Sequence, residues 1–225
     1  MAEIRFEGAG VTAGGRTILG PTELVLREQR IAVIGGNGSG KSTLARLVNG
    51  LVEPTVGQVL VDGLDTVRQG AQVRRRVGFC FTDPSAQLVM PTCVEDVELS
   101  LRKRLPRAER RAAALATLER FGLADRADVS VHALSGGQRQ MLALAGVLAV
   151  EPDVVIADEP TTLLDLANTR RIGDLLLSLP QQLILVTHDL DLAARCDRVL
   201  VVEDGAVRYD GAARDAVADY VGSVV

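Results

Sequence analysis

Apolar residues in this chain come as short unbroken runs separated by longer amphipathic stretches, and the two patterns predict different elements. Arg30-Ile-Ala-Val-Ile34 reads as a strand buried on both faces, because four apolar residues follow one another without a polar break. It runs into a Gly-rich turn and then a helical pattern from Lys41 to about Asn49. Gly57-Gln-Val-Leu-Val61 followed by Asp62-Gly63 predicts a strand and a turn. Further strands are expected at Val77-Gly-Phe-Cys-Phe81, Val154-Val-Ile-Ala157, Leu183-Ile-Leu-Val186 and Arg198-Val-Leu-Val-Val202. Segments near residues 3–7 and 22–27 alternate more weakly, as an antiparallel edge sheet would. Strands alternating with helices predict an α/β sheet covered on both faces.

Residues 83–134 interrupt the alternation. They contain no strand pattern; an apolar-periodic stretch at 94–104 and an Ala/Leu-rich one at 107–121 predict two helices. Pro106 suits the first turn of the second helix, and Gly122 stands just past its end. This stretch reads as a helical subdomain inserted into an α/β core made of residues 1–82 and 135–225, the whole forming one domain. There is no internal repeat, heptad array or low-complexity linker.

Composition narrows the class. With 225 residues, 47% hydrophobic and 24% charged, the chain has the balance of one large folded domain. Aromatics are only 3% and Trp is absent, so the core must be built from Leu, Val, Ile and Ala. A net charge of −4 argues against nucleic acid as a partner, since binding phosphate backbone needs a concentrated basic face. The basic run Arg102-Lys103-Arg104 through Arg107, Arg110 and Arg111 reads as solvated helix surface. Cys80, Cys93 and Cys196 lie far apart and histidines number two, so no zinc site is expected and the thiols read as reduced. The N-terminal residues lack a signal-peptide pattern, and the longest apolar run, Met141–Val150, is too short to span a bilayer. Any membrane role is therefore expected to come through a separate subunit.

The candidate chemistry begins at Gly35-Gly36-Asn37-Gly38-Ser39-Gly40-Lys41-Ser42, a full G-x-x-x-x-G-K-[ST] match between a predicted strand and helix. The pattern expects backbone amides to cradle phosphates without Cβ clashes, Lys41 to reach the β- and γ-phosphates and Ser42 to bind Mg²⁺. Thr43 is a candidate for the α-phosphate. The strand Val154–Ala157 ends in Asp158 and Glu159. Asp158 is expected to hold Mg²⁺ through water, and Glu159 to polarise an attacking water. His188 follows the Leu183–Val186 strand, at the crevice end of an open α/β sheet. Leu134-Ser135-Gly136-Gly137-Gln138 opens a further helix and offers backbone N–H groups to an anion. One phosphate site already exists in the chain, so the second nest implies a phosphate held from its other side by another copy.

Taken in this order, the motifs resemble those of the ATP-binding subunits of ABC transporters, over essentially the whole chain. The resemblance implies a P-loop NTPase (RecA-like) α/β core with an antiparallel β subdomain and an inserted α-helical subdomain. It also implies hydrolysis of ATP with Mg²⁺ by two subunits packed head to tail, the second an identical copy or a paralogue. Ser135, Gly136, Gly137 and Gln138, the signature, would face the γ-phosphate held by Lys41 of the partner subunit. His188 would touch that phosphate, and Asp165, in the D-loop Thr162-Leu163-Leu164-Asp165, would tie the two sites together.

Two positions depart from the family pattern. Val11-Thr12-Ala13 replaces the stretch that carries an adenine-stacking aromatic, so adenine is expected to rest on aliphatic groups such as Val11, with looser base discrimination. Thr82 stands where the family has a glutamine that touches Mg²⁺; a bridging water is expected there, with compensation by Gln87 as the alternative.

The segment Phe81–Val97 resembles the ATPases of energy-coupling-factor importers and, through Leu-Val-Met-Pro-Thr, most of all those of biotin transporters. The short stretch after His188, 37 residues, agrees with that choice. The resemblance implies an integral membrane coupling subunit docked near residues 82–100, a substrate-binding membrane subunit, and a place at the cytoplasmic face of the cell membrane. Importers of cobalt, nickel or another vitamin are the alternatives, as is a soluble ABC ATPase such as one for iron–sulfur assembly. Relatives in DNA repair insert long coiled coils before the signature, and translation-linked ones carry two nucleotide modules; this chain has neither.

Overall fold

Ile31 and Val33 point to one side of a central sheet and Ala32 and Ile34 to the other, and all four are fully buried. Their strand is flanked on both faces, so the period-2 alternation of side chains is hidden behind a continuous apolar run. The computed structural model describes residues 1–224. In chain order the elements are β1 (Ile4–Ala13), β2 (Arg16–Leu26), β3 (Arg30–Ile34), α1 (Lys41–Val48), β4 (Val56–Val61) and β5 (Leu64–Asp65). There follow α2 (Gly70–Arg76), β6 (Val77–Cys80), α3 (Cys93–Leu101), α4 (Arg107–Arg120), α5 (Gly136–Leu148) and β7 (Val154–Asp158). The chain continues through α6 (Leu166–Ser178), β8 (Gln182–Val186), α7 (Leu190–Ala193), β9 (Arg198–Glu203), β10 (Ala206–Ala212) and α8 (Ala213–Val224).

Six strands form the central sheet in the order β10-β9-β3-β8-β7-β6, parallel except for β10. A four-stranded antiparallel sheet, β2-β1-β4-β5, packs over one face with α1 between. The other face carries α3 to α6 and α8. This is the α/β P-loop architecture expected from the motifs. No helix among the described residues is long and apolar enough to cross a membrane.

Differences from the sequence reading have local causes. The weak alternation near residue 7 comes from register shifts in β1 between Phe6 and Ala9 and around Val11, which put Ala9, Gly10 and Val11 all inside. β10 alternates exposed with half-buried positions and never reaches full burial, as befits an edge strand, so it offers no apolar run to read. α2 buries only Gly70 and Val73. The sheet order matters for function. Because β8 lies between β3 and β7, the C-terminal ends of these three strands bring residues 35–41, 158–159 and 188 to one edge.

Candidate active site

Two of the loop glycines are demanded by the protein's own backbone. Gly35 has φ +142°, and a Cβ there would lie 2.0 Å from the Val202 carbonyl oxygen; at Gly40, φ +106°, it would lie 2.7 Å from that of Ile18. Gly36 and Gly38 meet no such crowding. Gly35 and Gly40 thus also serve the fit of the loop onto β9 and β2, a constraint separate from any approach to phosphate. Asn37 is exposed and Ser39 buried. Gly40 caps α1 in a left-handed conformation without any side-chain cap, so the first turn of that helix is not shut by its own side chains. Lys41 is buried, and its Nζ donates to the carbonyls of Gly35 at 2.9 Å and Gly36 at 2.7 Å. Burial pulls its pKa down, against the opposing pull of the Glu159 and Asp158 charges. Thr43 is half-buried on the same first turn.

Asp158 ends β7 with its side chain 1% exposed. Its Oδ1 accepts from Ser42 Oγ at 2.8 Å and its Oδ2 from Arg46 Nη2 at 3.0 Å. Its backbone carbonyl accepts from Thr82 Oγ1 at 2.7 Å. Ser42 and Asp158 thus converge, and their donor set is all oxygen, the chemistry a magnesium ion takes. Thr82 reaches this cluster through its hydroxyl. Gln87 does not: its side chain spans Phe81 N at 3.4 Å and the Ala143 carbonyl at 3.0 Å, which locks the segment after β6 onto α5. Compensation by Gln87 is therefore set aside.

Glu159 follows in a left-handed conformation, φ +51°, unusual for a residue with a Cβ and costing about 1–3 kcal/mol. Its N–H donates to the Val186 carbonyl at 2.9 Å, which fixes the turn against the neighbouring strand. The carboxylate is held on both oxygens, by His188 Nε2 at 2.8 Å and by Thr162 Oγ1 at 3.1 Å. Such an arrangement can aim one carboxylate lone pair at a water while His188 stands beside it as a hydrogen-bonding group.

Ser135 caps α5 in a reciprocal capping box. Its Oγ accepts from Gln138 N at 3.3 Å, and its N–H donates to Gln138 Oε1 at 3.0 Å. Gln138 therefore spends its side-chain oxygen on the cap. Gly136 and Gly137 supply N–H groups that have no backbone acceptor among the described residues. A Cβ on Gly137 would lie 2.5 Å from the end of the Asn168 side chain of α6, which would have to move aside for any larger residue. Asn168 in turn donates to both Asp165 carboxylate oxygens, at 3.1 and 3.0 Å, while Asp165 caps α6. Signature and D-loop form one packed unit, and among the described residues no hydrogen bond joins Ser135–Gln138 to Lys41–Thr43.

Two participants escaped the sequence reading, Arg46 and Asn168. Arg46 stands four residues after Ser42, one helical turn on, which was the available signal; nothing local marks Asn168. Val11 is corrected outright. It is 8% exposed and part of the core beneath the antiparallel sheet, so it offers adenine no surface, whereas Ala13 at the hairpin tip is exposed.

The comparisons with known proteins agree with this geometry. The sequence model of the family described as ABC transporter matches residues 23–162, more than half of the chain. The biotin transport ATP-binding protein BioM of Rhizobium etli is 44% identical over 218 residues, 96% of this chain and 97% of that protein. Among solved structures, cbiO1 of Clostridium perfringens, described as part of the ABC transporter complex cbiONQ, superposes with a TM-score of 0.84. It is 32% identical, over 96% of this chain and 91% of that one. The ATP-binding cassette MJ0796, in a dimeric post-hydrolysis state with ADP and Pi, gives a TM-score of 0.81 at 30% identity, over 95% and 99%.

Proposed function

The chain belongs to the ABC transporter ATP-binding family, and from that premise we propose that it is the ATP-hydrolysing subunit of an energy-coupling-factor importer that takes up biotin. The observation that carries the ATPase reading is the cluster of Lys41, Ser42, Asp158, Glu159 and His188 at one sheet edge. In it, Lys41 releases the two loop carbonyls to bind β- and γ-phosphate oxygens. Ser42 and Asp158 would hold magnesium, which when bound supplies charge neutralisation at those phosphates. Glu159 accepts the proton of the attacking water, and His188 steadies Glu159 through Nε2, the donor it would turn to the γ-phosphate when that group is bound.

The signature supports a two-subunit site. Its donors at Gly136 and Gly137 are preorganised by the Ser135–Gln138 cap yet sit apart from the phosphate loop of the same chain. They are read as serving the phosphate bound by a second copy or a paralogue, and the dimeric MJ0796 with ADP and Pi supports that arrangement. Nucleotide binding then closes the pair and hydrolysis reopens it.

Likeness to cbiO1, part of cbiONQ, supports a membrane partner. The expected docking region near residues 82–100 continues into a cavity of about 650 Å³ between α2 and the end of α3. Arg74, Arg75, Lys103 and Arg104 line it, with Arg104 paired to Glu151 at 2.7 Å. Lys103 and Arg104 are solvent-exposed, as expected of the basic run, and are proposed to serve also as rim of a docking surface. Biotin as cargo rests on the likeness to BioM across nearly the whole chain. Co-purification from membranes followed by uptake of radiolabelled biotin against cobalt and nickel tests it. Cobalt or nickel uptake without biotin uptake would refute the cargo and leave the ATPase reading standing, whereas recovery without any membrane subunit would refute the importer.

A further inference from the structure

We propose that Arg46 is the positioning residue for the Asp158 carboxylate, holding it so that the oxygen shared with Ser42 is the one turned toward the cation and its bound water. The inference rests on the ATPase reading and adds a residue that the phosphate-loop motif does not contain. Ser42 and Arg46 are four residues apart on α1 and so project from one face a turn apart. Each takes a different oxygen of the same carboxylate, Oδ1 at 2.8 Å and Oδ2 at 3.0 Å. Thr82 takes the backbone carbonyl of the same residue at 2.7 Å. A carboxylate only 1% exposed cannot be turned by solvent, so its orientation is set by Ser42 and Arg46, while Thr82 fixes the backbone beneath it.

The grip of Arg46 is single-pointed. Its Nε is buried without a partner, so the guanidinium does not straddle the carboxylate in the two-point manner that would consume both oxygens. Oδ1 is therefore left to the hydroxyl of Ser42, the other expected magnesium contact. Groups that orient a metal ligand from outside the coordination sphere typically govern affinity by about 10–100-fold. Arg46 has the right place for that role, and its permanent positive charge also balances a buried anion.

The test uses the full chain, Mn²⁺ as the metal probe and a fluorescent ATP analogue, with Arg46→Met and Arg46→Lys. By Coulomb's law alone, removing a positive charge beside a cation site should tighten cation binding. The positioning role has the opposite sign. Arg46→Met should weaken Mn²⁺ binding to the nucleotide-loaded protein, read by electron paramagnetic resonance, by about 10–100-fold. Binding of the ATP analogue in EDTA should stay as in the parent, and Arg46→Lys should recover much of the Mn²⁺ affinity. Unchanged or tighter Mn²⁺ binding in Arg46→Met overturns the proposal. So does an equal loss of analogue binding in EDTA, which would mark Arg46 as a fold-holding ion pair. If Arg46→Met does not fold, Arg46→Gln carries the same measurement. A parent protein that binds neither probe would overturn the nucleotide reading itself.

Discussion

The two helices that begin at glycine-rich turns, α1 and α5, solve the same electrostatic problem in opposite ways. α1 starts at Gly40 with no side-chain cap; Lys41 is held by the carbonyls of its own loop, while Ser42 and Arg46 reach across the sheet to Asp158. The start of α5 is closed by its own Ser135–Gln138 box, and its first turn packs against Asn168 of the D-loop helix. One end leans on a distant carboxylate, that of Asp158 at the end of β7; the other is preorganised by its own residues. Under the proposed function, the contrast assigns chemistry to the first half and recognition to the second. A capped helix end is a rigid donor surface, whereas an end held by distant groups is one whose groups can exchange partners.

The largest expected effect falls on the α1 side. Glu159→Gln should lower ATP turnover by about 10²–10⁴-fold while nucleotide binding persists, and Lys41→Ala should instead weaken binding; both are read by phosphate release beside equilibrium binding. Near-normal turnover in the Glu159 variant would remove the chemical half of the contrast. On the α5 side, Gly137→Ala should overpack the helix contact at a cost of about 1–3 kcal/mol. Combination with Asn168→Ala should return much of it in a double-mutant cycle by urea unfolding. If the two effects simply add, signature and D-loop are not one unit.

Ala13→Tyr probes the nucleotide base rather than its phosphates. A ring at the exposed hairpin tip should tighten ATP binding by about 1–3 kcal/mol through stacking, and widen its preference over GTP. No gain in competition binding would mean that the tip does not face the base. Smallest is Ser135→Ala, which should cost about 1 kcal/mol through loss of the cap. Chemical denaturation measures it, and no loss would show that α5 is held by packing alone.

Much of this was legible because the signals are short. Gly35–Ser42 between a strand and a helix, the capping residues of α5, and the apolar runs of β3, β7, β8 and β9 each depend on neighbours a few residues away. What escaped was decided elsewhere. Gly35 is glycine because of Val202, and Gly137 is crowded by Asn168. The Arg46–Asp158 pair joins residues 112 apart.

Val11 shows the same limit from the other direction. Its place in the stretch suggested an exposed platform, but bulges in β1 shift which side chains face inward, and a period-2 pattern cannot foresee a bulge. By itself the sequence determined the apolar strands of the central sheet, the glycine-rich loop before α1 and the Ser-Gly-Gly turn that opens α5, since local backbone sterics and hydrogen bonding set them. The tertiary structure alone decided which groups share the Asp158 carboxylate and which glycines are crowded by distant parts of the chain. Those depend on strand order and on the approach of distant backbones, and no window along the chain contains both partners.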